Sequence, residues 1–477
     1  MIRLILMLAP VLAPGVPVAQ QQPQAAYEWP APAMPISSNS EEAIVHFWAA
    51  VDELDNIYPL RATEHARLAL EADPSLGMAR VIYGFVKPGL VQQARLDEIV
   101  RGLALISNRG TAAEMVLALA YKEWISGNQA EARTLFGAVM ELAPQHPHPA
   151  FRWALLTGIV DGQSEGIVAL KKVTSTFPQS AAAYNNLAYG LWATGSRQGA
   201  VYTVRKYLEL KPDHPNPHDS YAELMQWAGR YDEAARQYRM AIELDPAFDQ
   251  AYLGLAEIAQ LTGKPDEAQR YIRTAIEYAP SDQARINYTR ALGNAYLLGG
   301  DWKAAMEHFG KAAAEAEEAG FNGIAIVSYR QMALVDAMGD GSALESHLAK
   351  AEEIQGNPTN ATYGFAGLAY ALAGDTEKAR AEAAKLEESA SGNFFVSLSH
   401  TLNALLDLEG GDVGSALEEL EEANPTDPLV RALFAEVYGE MGEAVEARAF
   451  REQVLSDPTF SFLQPIYPVA YLRAEGL

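Results

Sequence analysis

The chain has 477 residues, longer than one hydrophobic core usually supports, so it is either a set of globular domains or a repeat array. Hydrophobic residues make up 49% and charged residues 20%, a balance far from that of disordered chains. A net charge of −25 argues against nucleic acid or an anionic membrane surface as a partner held by bulk electrostatics.

The first segment, MIRLILMLAPVLAPGVPVAQ, has one Arg and then an apolar run from Leu4 to Val18 broken by Pro10, Pro14 and Pro17. That run is shorter than the roughly 20 residues a membrane span needs. It suits a secretory signal peptide over residues 1–19, which places the mature protein in the periplasm; an uncleaved anchor is the alternative. Residues 20–40, rich in Gln, Pro, Ala and Ser, read as a tether. The chain has no cysteine, which excludes disulfides, a thiol nucleophile and Cys-ligated metal.

Residues 41–112 are helical in pattern. The stretch ending at Pro74 has the length of one later unit but lacks a glycine at its elbow. From residue 113 the sequence repeats itself every 34 residues. Prolines recur at Pro144, Pro178, Pro212, Pro246 and Pro280. Small residues keep the same step at Ala120, Ala154, Ala188, Ala222 and Ala256, and again at Ala132, Gly166, Ala200, Ala234 and Ala268. Large apolar residues recur at Phe136, Leu170, Val204, Tyr238 and Ile272, and a breaker falls at Gly127, Asp161, Gly195, Gly229 and Gly263.

Between breakers the apolar residues fall at helical spacing, so each unit is two amphipathic helices. The small residues let their backbones approach, and the elbow glycine takes a conformation other residues resist. One such pair cannot bury its apolar face alone, so neighbours must stack. The 34-residue pattern, carried by segments such as YAELMQWAGRYDEAARQYRMAIELDP, resembles the tetratricopeptide repeat over residues 113–282. The resemblance implies an all-α, right-handed α-solenoid.

After residue 282 comes a three-residue insertion, and the repeat then persists loosely over residues 283–461. The elbows there are Gly300, Gly374, Gly411 and Gly442, and the second helix of the first of these units reads as about two turns longer. Eleven or twelve repeats are expected in all, with residues 462–477 capping the open end. This second half is the more acidic: residues 281–477 carry 31 Asp and Glu against 13 Lys and Arg.

One stretch, KPDHPNPHDSYAEL at residues 211–224, offers two histidines and two aspartates and looks like a metal or hydrolytic site. Pro212 is the periodic proline, so the stretch is an inter-repeat link. Asn216 is expected to cap the following helix, with Pro217 in its first turn. Pro215 and Pro217 are expected to keep His214 and His218 off a shared helix face. His146 and His148 occupy a similar link. No phosphate loop, HExxH helix, GxSxG elbow or EF-hand ladder occurs, so no catalytic residue, metal ligand or cofactor is assigned.

In the tetratricopeptide family the first helix of each pair lines the concave side. Carried onto this sequence, that resemblance implies partner-binding positions at Tyr121, Trp124, Phe151, Asn185, Tyr189, Trp192, Glu223 and Trp227. Some members clamp a peptide carboxylate with Lys and Asn. Arg290 and Asn294 echo the first pair of that clamp, but Gln331, Ala361 and Phe365 stand where Asn, Lys and Arg are needed. The function these features imply is a non-catalytic scaffold that binds a protein or peptide partner. A regulatory or sensory module, or an enzyme subunit with a dispersed site, are the other classes left open.

Overall fold

The computed structural model describes residues 34–457 and 460–464; the expected signal peptide and most of the tether lie outside them. Every regular element among the described residues is an α-helix; there are 24, enough for twelve pairs, the upper figure of the repeat count the sequence implies. The first twelve are α1 Glu41–Asp55, α2 Pro59–Ala72, α3 Gly77–Val86, α4 Gln92–Arg109, α5 Ala112–Ile125, α6 Gln129–Leu142, α7 Pro147–Val160, α8 Gln163–Thr176, α9 Ala181–Ala193, α10 Arg197–Leu210, α11 Pro215–Trp227 and α12 Tyr231–Leu244. The rest are α13 Asp249–Leu261, α14 Pro265–Glu277, α15 Asp282–Leu298, α16 Trp302–Glu318, α17 Asn322–Ala337, α18 Leu344–Gln355, α19 Asn360–Leu372, α20 Thr376–Ser389, α21 Asn393–Glu409, α22 Val413–Glu422, α23 Pro428–Glu440 and α24 Ala444–Leu455.

Contacts divide the chain into two compact units. Among the described residues, one holds 34–225, 230–251 and 280–282, and the other 226–229, 252–279, 283–457 and 460–464. Within each, helices pair as hairpins and each hairpin packs on the next, as α5 does on α6 and α6 on α7, or α19 on α20 and α20 on α21. The periodic small residues sit where helices cross: Ala120, Ala154, Ala188, Ala222, Ala256, Ala132, Ala200, Ala234 and Ala268 are all fully buried. The large apolar partners Phe136, Val204, Tyr238 and Ile272 are also sealed from solvent and fill the grooves beside them.

The elbows explain the glycines. Gly127, Gly195, Gly229 and Gly263 all have φ between +72° and +87°, the left-handed region that costs an L side chain energy. In the repeat where Asp161 is the expected breaker, α7 runs on to Val160, Asp161 stays right-handed as its C-cap, and Gly162 makes the turn at φ +113°. The α1–α2 elbow, which has no glycine, forces Ile57 to φ 61°. Replacing Ile57 with Gly is therefore expected to stabilise the first hairpin by about 1 kcal/mol, read as a higher thermal midpoint; a lower one would mean that the isoleucine's packing outweighs its strain.

Helices α5 to α14 are 13 or 14 residues long, whereas α15 and α16 each have 17. The second helix of this unit is thus one turn longer than its predecessors, where the sequence suggested two, because the first helix lengthens with it. Residues 34–40, expected within the tether, are docked. Met34 is buried, and the Ser37 N–H and hydroxyl donate to the Glu114 carboxylate at 2.8 and 2.5 Å. Ser38 donates to Asp73 at 2.5 Å. Glu114 is itself the reciprocal partner in the Thr111 capping box of α5, so a buried carboxylate with spare acceptor capacity fixes the segment.

Candidate functional site

The link at residues 211–217 begins its helix two residues earlier than the sequence suggested. α11 starts at Pro215, so Asn216 lies inside the helix and its side-chain amide donates to the Tyr207 hydroxyl at 3.0 Å. The cap is His214, whose Nδ1 accepts from the Asn216 N–H at 3.2 Å. His146 does the same for α7, accepting from the His148 N–H at 3.3 Å. Proline is tolerated at these places because first-turn N–H groups have no intrahelical partner to lose. His214 and His218 nonetheless diverge: His218 faces Gln237 and the Pro212 carbonyl, at 2.7 and 2.8 Å. Among the described residues no three His, Asp or Glu side chains converge as a metal site requires.

Those links instead receive the end of α1 and the start of α2. Asp55 pairs with His148 at 2.7 Å and with Arg152 at 2.6 Å, all three buried. Glu53 pairs with His214 at 2.9 Å, and Asp52 with Lys211 at 2.5 Å. Tyr58 donates to Asp245, which also pairs with Arg61 at 3.1 Å. Trp48 stacks on His146 with centroids 4.4 Å apart. Burial would raise the Asp55 carboxyl, but the charges of His148 and Arg152 outweigh it and hold it below its ordinary range. Glu53 is lowered against the same burial by His214, through a hydrogen bond and its charge. Burial, with His148 beside it, pushes the His146 imidazole down to about 3, so it stays neutral.

The eight positions implied by the first-helix rule fall into two groups. Tyr121, Phe151, Asn185, Trp192 and Glu223 are buried. Tyr121 sits among Phe85, Phe136 and His148, its hydroxyl 2.6 Å from His148 Nε2, and serves as core where a binding surface was expected. Trp192 is likewise covered, with the Arg197 guanidinium over its ring at 4.2 Å. The partly exposed members are Trp124, Tyr189 and Trp227. Tyr189 donates to Glu223 at 2.6 Å, bridging α9 and α11. Large aromatics on a first helix pack into the next hairpin wherever its small residues leave a groove, which is why the rule over-collects them.

A first-helix face that holds a separate segment from far along the chain is α15. Asn294 donates to the Phe462 carbonyl at 2.7 Å, and Arg290 to the Leu463 carbonyl at 2.8 Å. Gln331 of α17 orients both, donating to Asn294 at 2.7 Å and accepting from Arg290 at 2.9 Å. Phe460 and Phe462, edge to face at 4.8 Å, sink into the cluster of Leu253, Ala256, Tyr288 and Leu292. The start of the segment expected to cap the last hairpin is therefore seated on α13 and α15. Burial pulls Arg290 down to about 10. Arg290 and Asn294 are visible in the sequence as half a clamp; their ligand, a turn some 170 residues away, carries no period that would reveal it.

The profile of the family described as "Tetratricopeptide repeat" matches residues 228–293. A search of curated proteins gave no match. Among solved structures the chain is similar to a thermophilic TPR protein of Thermus thermophilus, with 21% identity, a TM-score of 0.33, and 37% of this chain and 97% of that one covered. A tetratricopeptide repeat protein from Parabacteroides merdae gives 16%, 0.40, 62% and 98% in the same order. The human IFIT1 dimer with PPP-AAAA gives 16%, 0.45, 80% and 90%.

Proposed function

Because the chain is a tetratricopeptide-repeat protein, we propose that it is a non-catalytic scaffold whose first-helix faces hold an extended or turn-forming segment of a protein partner. The observation that carries this reading is the seat on α15, where Asn294 and Arg290 take two consecutive main-chain carbonyls of a non-helical segment. Main-chain recognition by side-chain amides and a guanidinium is how a helical surface reads a peptide without depending on its whole sequence. Tyr189 and Trp227, partly exposed on α9 and α11, offer aromatic anchors of the kind that dominate interface energetics. The net charge of −25 favours a basic partner and disfavours nucleic acid. The apolar run Leu4–Val18 supports export, so the partner is sought in the cell envelope.

The test is affinity capture from envelope extract with the wild-type chain beside Tyr189→Ala, Trp227→Ala and the double variant. A partner retained by the first and reduced at least tenfold in the variants, with helicity and thermal midpoint unchanged, is the expected result. Equal recovery with all four chains would remove α9 and α11 from the site.

A further inference from the structure

The seat on α15 is a site already filled, and its occupant describes what else fits. Residues 460–464 are not helical; the Gln464 N–H returns to the Ser461 carbonyl at 3.1 Å, which makes a turn. The turn points two phenylalanines, separated by one residue, into an apolar cleft and offers its next carbonyls to Asn294 and Arg290. Four residues thus supply both the apolar anchors and the main-chain acceptors that a peptide ligand uses.

Arg290, almost wholly buried, donates to neutral oxygens, those of Asn287, Gln331 and Leu463. Among the described residues no carboxylate accompanies it, and a guanidinium taken from water without one is costly. An apolar side chain there would leave the Leu463 carbonyl without its donor, so the position is built to receive a main-chain carbonyl.

We propose that the face formed by α13, α15 and α17 recognises a Phe-x-Phe turn, that Phe460–Leu463 plugs it in cis, and that the partner is a polypeptide presenting the same turn, which binds by displacing the plug. This rests on the reading that the repeats bind polypeptide segments. The surplus of acidic residues over residues 281–477, 31 against 13 basic, favours partner segments with Lys or Arg flanking the two phenylalanines. Because the plug is tethered, it competes at a high effective concentration, so only a partner that binds well or arrives in several copies opens the site.

The probe is a fluorescein-labelled peptide, DPTFSFLQP, titrated by anisotropy into the full wild-type chain and into the full chain carrying Phe460→Ser and Phe462→Ser. The double variant is expected to bind at least tenfold more tightly than wild type, to lose that binding when Asn294→Ala is added, and to ignore a peptide with both phenylalanines replaced by serine. Equal affinity in the two chains, or no binding by a double variant of native helicity, would overturn the proposal. Should the double variant fail to fold, hydrogen exchange of residues 457–464 in the wild-type chain decides. Faster exchange under saturating peptide supports displacement, and unchanged exchange or no saturation refutes it. If the peptide result fails while envelope capture still depends on Tyr189 and Trp227, the plug is wrong and the scaffold reading stands; the reverse pattern would retain the site and discard those two anchors.

Discussion

Asp55→Ala is expected to destabilise the N-terminal unit by about 3–5 kcal/mol, the cost of leaving buried charge without its counter-ion. The carboxylate is shared by His148 and Arg152 at 2.7 and 2.6 Å, and neither can turn to solvent from its place in α7. Adding Arg152→Met to Asp55→Ala is expected to recover much of the loss, because the stranded guanidinium goes with it. The acid limb carries a second signature. Asp55 is held below its ordinary value in the folded chain, so its contribution is complete above the ordinary carboxyl range and is lost as pH falls through the lowered value. Thermal midpoints measured between about pH 5 and pH 2 should therefore fall less steeply for Asp55→Ala than for wild type. Glu53, lowered in the same way by His214, keeps part of the slope. Parallel curves for the two chains would show that the pair contributes no proton-linked stability.

Phe309→Ala is the second large effect, again about 3–5 kcal/mol for an emptied aromatic site. The ring is fully buried on α16, among Leu297, Ala305, Val335, Met306 and Met332. It lies so close to α15 that a Cβ built on Gly293 would come within 2.6 Å of the ring edge. Gly293→Ala alone should therefore destabilise the hairpin by overpacking. In the Phe309→Ala background the added methyl enters the vacated space, so the two changes together should cost less than their sum. In a stacked array each hairpin depends on its neighbours, so increased hydrogen exchange is expected in α15, α16 and α17 before it appears elsewhere. A uniform rise across the chain, or strict additivity of the two substitutions, would contradict this packing.

The repeat architecture is legible in the sequence because it is local. Prolines 34 residues apart, buried alanines in step with them and glycines at positive φ all report contacts within a hairpin or between adjacent ones. The departures are local too. The turn slips from Asp161 to Gly162 because only the glycine takes φ +113° at low cost, and Ile57 is strained where no glycine is available. The helix starts at His146 and His214 are hard to read because a histidine cap followed by proline is an uncommon signal beside Asn or Asp.

The candidate site is harder to read for a different reason. Asp55 and His148 are 93 residues apart, and Asn294 and Phe462 are 168 apart; no periodicity connects them. Composition hints at both halves without joining them. The first-helix rule also selects residues that spacing alone cannot sort, since Tyr121 and Phe151 meet it while serving as core. Arg290 and Asn294 echo the first pair of a clamp whose remaining Asn, Lys and Arg are missing; the polar partner the structure supplies is Gln331, which steadies both donors from the next first helix.

The seat of Phe460 and Phe462 also has a meaning in time. Arrays of hairpins are built from short-range contacts and can form as the chain lengthens, whereas a pairing over 168 residues must wait for its second half. On the proposed displacement, a partner present while the chain folds meets an open seat and one arriving later meets a rival. On that proposal, order of arrival as much as affinity decides which polypeptide occupies the seat.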